Sequence, residues 1–205
     1  LRFYGKPNKL SNERVMWEII YEAIKATEKP RSEELKIAYA SKPLLRVAPS
    51  YLGAEEVIRK RRSAHLYDPK VKISQKVFLQ ALDRCLPRED YSAFVRNERH
   101  LKLLKELTNP EFLWERVYDE IPLYLLTLGD LREFARYVAC VQEIASDSAF
   151  SLGMLSLFEP VLKERPWEYK LMHWEAGLIG QVLYLEATAH ELKGTGIGCF
   201  FDDVM

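Results

Sequence analysis

Arg59, Lys60, Arg61 and Arg62 stand in one run, followed closely by Ser63 and His65. Guanidinium groups grip a phosphate bidentately and a serine hydroxyl adds a donor, so this run can form a phosphate clamp. The same residues also suit a solvated helix end, where cations complement the C-terminal dipole. Nothing local separates the two. A second candidate lies far along the chain, in Gly194-Thr195-Gly196-Ile197-Gly198. These glycines follow a long helical stretch, whereas a dinucleotide-binding loop runs strand, glycines, then helix N-terminus, so that chemistry is excluded. Gly194 is expected at C′ of the preceding helix. Gly196 and Gly198 suggest a backbone that something flat approaches closely. Glu175-Ala176-Gly177 forms the third candidate, because a glycine early in a helix lowers its stability unless packing requires the space.

Other catalytic templates are missing. The histidines His65, His100, His173 and His190 share no ligand spacing, so no metal site is expected. No GxSxG, CxxC or Walker sequence occurs. Asp202 and Asp203 are adjacent, and adjacent side chains usually point apart. Trp167, His173 and Trp174 read by default as core or rim residues. No catalytic acid, base or nucleophile is therefore assigned.

Charge and composition narrow the partners. The 205 residues hold 30 basic and 30 acidic side chains, a net charge of zero, which removes the usual footprint of a nucleic-acid binder. Hydrophobic residues make up 48%, ordinary for a soluble globular protein. Cys85, Cys140 and Cys199 are odd in number and widely spaced, which argues against a disulfide framework and for a reducing, cytoplasmic compartment. No apolar run nears the roughly 20 residues of a membrane helix, and no signal peptide opens the chain. The first residue is Leu1 and the last Met205, so both ends read as edges of a fragment.

These candidates must be carried by a mainly helical chain. A first helix is expected from Ser11 or Asn12, with Val15, Met16, Ile19, Ile20, Ala23 and Ile24 on one face, ending before Pro30. A second is expected from Ser32 through Ala38, then a proline-marked linker from Lys42 to Ser50. From Gly53 a short charged helix leads to the turn at Tyr67-Asp68-Pro69. Ser74 caps a further helix with Val77, Phe78, Ala81, Leu82 and Cys85 inward. Between Arg88 and Glu120 the pattern supports helix only weakly. Ile121 to Leu128 reads as a strand covered on both faces. Asp130 and Glu133 form a capping pattern for a long helix through Phe134, Val138, Val141 and Ala145, with a bend expected between Asp147 and Gly153. The last helix, from about Tyr169 to Lys193, is apolar nearly all round, which predicts a buried central position.

Four blocks, in order, carry a family resemblance: VIRKRRSAHLYDP from Val57, IPLYLLTLGDLREFARYVACVQEIASDSAFSLGM from Ile121, WEAGLIGQVLYLEATAHELKG from Trp174, and TGIGCFFDD from Thr195. Together they resemble the nitroreductase family, in its azoline dehydrogenase-like (SagB-type) branch, over roughly residues 55 to 203. The third and fourth blocks in tandem are the specific part.

The resemblance implies an α+β fold with helices packed around a small mixed β-sheet and long central helices. It implies a nitroreductase-like FMN-binding domain over residues 55–205, incomplete at its C-terminus, with residues 1–54 a helical extension or the tail of a preceding domain. Arg61, Arg62 and Ser63 would hold the FMN phosphate and ribityl chain. At His65 the family commonly has a cation. Glu175, Ala176 and Gly177 would lie by the isoalloxazine ring, and Ile197 and Gly198 would touch it from the last strand. The implied activity is hydride or electron transfer between a reduced donor, such as NAD(P)H, and an organic acceptor or peptide azoline, in a homodimer or tandem pseudo-dimer. Flavin carries the redox step itself, which accords with the missing acid–base motifs. Two departures favour an alternative, a flavin-free scaffold or partner subunit. Leu86-Pro87-Arg88 replaces the family's Ser-Gly-Gly-type loop, and the chain stops before the family's later phosphate-binding arginine.

Overall fold

In the computed structural model, residues 4–6, 11–13, 15–31, 42–88 and 99–205 are described. The expected helix at Ser32–Ala38 lies outside them. Eight helices and one pair of strands are found there, so the protein is mostly helical with a two-stranded antiparallel sheet. That corrects the expected mixed sheet. Among the described residues one helix alone is long, against the expected several long central helices.

Helix α1 spans Glu18–Ala26 and starts well after Ser11, whose hydroxyl accepts from the Glu13 N–H at 3.1 Å in a local turn instead of capping a helix. Thr27 closes its end by donating to the Ala23 carbonyl at 2.8 Å. No residue of α1 is buried. Helix α2 spans Ala54–Lys60 and α3 Gln75–Arg84, the latter capped as expected by Ser74, whose hydroxyl accepts from the Val77 N–H at 3.3 Å.

What α3 buries differs from the expected apolar set. Leu79, Ala81 and Cys85 are buried, but so are Gln80 and Asp83. These polar side chains bind the proline-marked segment before α2. Asp83 accepts from the Leu45 N–H at 2.8 Å, and Gln80 Oε1 from the Val47 and Ala48 N–H groups at 3.1 Å. Arg88 joins them, its Nη2 2.7 Å from Asp83 Oδ2 and its Nε donating to the Lys42 carbonyl at 3.1 Å. An irregular segment cannot satisfy its own backbone, so buried side chains do it instead.

Helix α4, Arg99–Leu107, precedes a ribbon of β1 (Glu115–Tyr118) and β2 (Leu123–Leu125). Glu115 pairs with Leu125 and Arg116 with Tyr124, and an irregularity then skips Val117. Lys105 of α4 sits 4.6 Å from the Tyr124 ring centroid and 5.2 Å from that of Trp114. The strand expected over Ile121–Leu128 is thus much shorter and half-buried. Only Ile121 is fully inside, and Leu128 is exposed.

The long helix expected after Asp130 is two short ones, α5 (Arg132–Val138) and α6 (Glu143–Ser146). Asp130 Oδ1 accepts from the Arg132 N–H at 3.1 Å, so the capping residue acts near its expected place. The break falls at Cys140 and Val141, with φ of 54° and 61°, a left-handed pair that ends any α-helix. A disulfide joins Cys140 to Cys199, with Cα atoms 5.8 Å apart. This corrects the expectation that the cysteines stay unpaired, and leaves the compartment open; sequence spacing does not report distance in space.

Helix α7 (Glu159–Glu164) leads to the long α8 (Glu168–Ala189). Helices α2, α3 and α7 all pack on α8. Yet Glu175 and Thr188 are its only buried residues, and Trp174 and Leu178 are 56% and 40% exposed. The helix is central to the packing but not enclosed. No helix among the described residues is long and apolar enough to cross a membrane.

Candidate anion-binding site

The Arg-Arg-Ser run and the glycine loop, distant in sequence, meet in space. Ser63 and Gly194 form a parallel bridge, and the Ala64 N–H donates to the Gly194 carbonyl at 3.0 Å. Gly194 is therefore not the helix cap. The left-handed residue after α8 is Glu191, at φ 58°, which leaves Gly194 free to pair with the segment after α2.

The four cations of the run are not equivalent. Arg59 pairs with Glu55 at 2.9 Å and Lys60 with Glu56 at 2.6 Å, each one helical turn back. The Glu56 hydrogen bond and charge, with more distant help from Glu191, raise the Lys60 ammonium above its ordinary value. Arg62 folds onto the backbone, donating to the carbonyls of Arg59 and Arg61 at 2.9 and 2.7 Å. Neither Arg61 nor Arg62 has a carboxylate partner among the described residues, but only Arg62 is taken up by backbone carbonyls. The Arg61 guanidinium carbon lies 5.2 Å from the ring centroid of Tyr184 on α8.

Tyr184 is the hub of the site. Its hydroxyl is 3.1 Å from Ser63 Oγ and accepts from the Gly196 N–H at 2.7 Å. Burial pushes the phenol up, but hydrogen bonds from Ser63, Gly196 and Thr195, with the Arg61 charge, hold it below its ordinary value. Nearby Tyr67 moves the other way, raised by burial and by Tyr184, and donates to the Lys193 carbonyl at 3.2 Å. A depression of about 250 Å³ is lined by Leu52, Lys60, Arg62, Thr188, Glu191, Leu192 and Lys193, and so does not include Tyr184, Ser63 or Arg61.

The remaining candidates lie apart. His65 is exposed beyond Ser63. Glu175 is buried and Ala176 half-buried on α8, nine residues and on the order of 13 Å from Tyr184 along the helix axis. Gly177 and Gly198 are exposed, and a Cβ added to either would meet no atom within 4 Å. Ile197 is half-buried. Among the described residues, no group of three His, Cys, Asp or Glu side chains converges as a metal site would.

Sequence reasoning missed Tyr184 and Thr195. A phenol among the apolar residues Val182, Leu183 and Leu185 was the available signal. A buried tyrosine hydroxyl calls for a polar partner. What the group can do is bind an oxyanion: a hydroxyl and a backbone N–H meet at one oxygen position, with a guanidinium over the adjoining ring. Comparison with family models, with curated proteins and with solved structures finds no match for this chain.

Proposed function

We propose that the protein is an FMN-dependent oxidoreductase of nitroreductase type, taking electrons from a donor such as NAD(P)H to an organic acceptor or a peptide azoline. The observation that carries this reading is the seam between Ser63 and Gly194. It draws the Arg-Arg-Ser run, the end of α8 and the glycine loop together, and these belong to three of the four blocks on which the resemblance rests.

The residues suit the phosphate end of FMN. Arg61 lacks an anionic partner among the described residues, and Ser63 is exposed at the seam with its hydroxyl available for exchange. The ring end has room rather than walls, since Gly177 and Gly198 have open space where a side chain would be. The homodimer that the resemblance implies would bring a second subunit over these open residues. On this reading Arg61 and Ser63 bind phosphate, while Arg62, committed to two carbonyls, stiffens the turn. Glu175, Ala176, Gly177, Ile197 and Gly198 border the ring. Bound flavin would supply the hydride-transfer chemistry, and these residues would orient it.

A flavin-free scaffold is the second reading. It is favoured by Tyr184, whose oxygen already satisfies the Gly196 N–H and contacts Ser63. The visible spectrum of the purified protein, followed by FMN titration, separates the two. Flavin absorbance with saturable binding is expected, and Arg61→Ala should weaken it more than tenfold, since charge-assisted hydrogen bonds are worth about 1.5–3 kcal/mol. A colourless protein that does not bind added FMN would establish the scaffold.

A further inference from the structure

The hydroxyl of Tyr184 sits where a backbone N–H and a serine hydroxyl meet, a place that would also suit a ligand oxygen. The Gly196 N–H is 2.7 Å away and Ser63 Oγ 3.1 Å away, and the Thr195 side chain lies close enough to favour the ionised phenol. Arg61 covers the ring face. Glycines 194 and 196 bring the loop to ordinary contact distance, with added Cβ atoms 3.7 and 3.8 Å from the tyrosine. Ser63 and Gly196 are both exposed, so a ligand can reach these donors from solvent.

We propose that Tyr184 is a gate: its phenolic oxygen occupies the anion position among Ser63, Thr195 and Gly196, and a phosphomonoester ligand must displace it to bind. This rests on the anion-binding reading of Arg61 and Ser63 above. A phosphate dianion offers three acceptor oxygens where the phenol offers one, so it can win the same donors and also draw Arg61 off the ring. Displacement leaves the phenol without those donors and beside new negative charge. Both changes favour its protonated form.

The test compares wild type with Tyr184→Phe, which keeps the ring under Arg61 and removes the competing oxygen. FMN, riboflavin and inorganic phosphate are the probes. Tyr184→Phe should bind FMN about fivefold more tightly, the worth of one competing hydrogen bond, and phosphate more tightly as well. Riboflavin, which lacks the phosphate, should bind both proteins alike. In wild type at about pH 9, just below the ordinary phenol range, FMN or phosphate should reduce tyrosinate absorbance, and Tyr184→Phe should lack this change. If FMN binds Tyr184→Phe more weakly than wild type, Tyr184 is a latch that builds the site and the gate is wrong, though the anion site stands. If neither protein binds FMN or phosphate, both the gate and the underlying site are wrong.

Discussion

Two regions of this molecule are tied down by different means. Around α3, the irregular segment from Lys42 to Ser50 is held by buried polar side chains, with Asp83, Gln80 and Arg88 taking its backbone groups. Around α5 and α6, the segment after the glycine loop is held by the Cys140–Cys199 disulfide, an edge of aromatic contact between Tyr137 and Phe201, and the Phe201 N–H on the Val138 carbonyl at 2.8 Å. Directional polar ties lose their value when one partner goes, because the other is left buried and unpaired. A covalent tie acts largely by restricting the unfolded chain, so its loss is graded and leaves the local packing in place.

The largest effect should come from the polar side. Asp83 is 1% exposed and holds both Arg88 and the Leu45 N–H. Asp83→Ala strands a guanidinium that is 9% exposed, and breaking a buried ion pair costs about 3–5 kcal/mol. Denaturant unfolding measures it. A loss below about 1 kcal/mol would mean that water reaches Arg88 and that the two regions do not differ as described.

Removing the disulfide should cost less. The bridge spans 59 residues, for which loop closure alone gives a ceiling of about 4 kcal/mol, and about 2–4 is expected from Cys140→Ser with Cys199→Ser. Hydrogen exchange should show α5 and α6 opening sooner while α3 and α8 keep their protection. Equal loss of protection in α3 would show one cooperative unit in place of two differently tied regions.

Legibility in the sequence followed the same division. Features set by neighbours along the chain were readable: Ser74 capping α3, the short charged helix α2, and the extended segment around Pro43 and Pro49. Features set by contact across the chain were not. The Gln80 and Asp83 ties look like ordinary exposed helix positions, and Cys140 and Cys199 look unrelated. Val141, a β-branched residue in a left-handed conformation, is one that no propensity would nominate. Helix α8 misled in another way, since an apolar surface all round describes what a helix can bury, not what this chain supplies to cover it. At the site, the basic run was legible as a cluster. Which cation is uncommitted was not, because Glu55, Glu56 and two carbonyls decide it in space.

The smallest effect concerns Gly177, and its sign matters more than its size. Among the described residues a Cβ there would touch nothing within 4 Å, so close helix packing among them does not explain the glycine. Glycine within a helix costs about 0.5–1 kcal/mol relative to alanine. Gly177→Ala should therefore stabilise the flavin-free chain, raising Tm by about 1–4 °C for a protein of this size. On the proposed function the same methyl stands where the flavin ring approaches, so FMN affinity should fall. Opposite signs in one variant mark a surface kept open for a ligand at the expense of the helix. If stability rises and FMN affinity is unchanged, Gly177 is an ordinary surface position and the ring does not lie along this turn of α8. If the flavin-free protein is destabilised instead, the open face is filled by a second copy. That would appear as a concentration-dependent Tm in wild type, reduced in the variant.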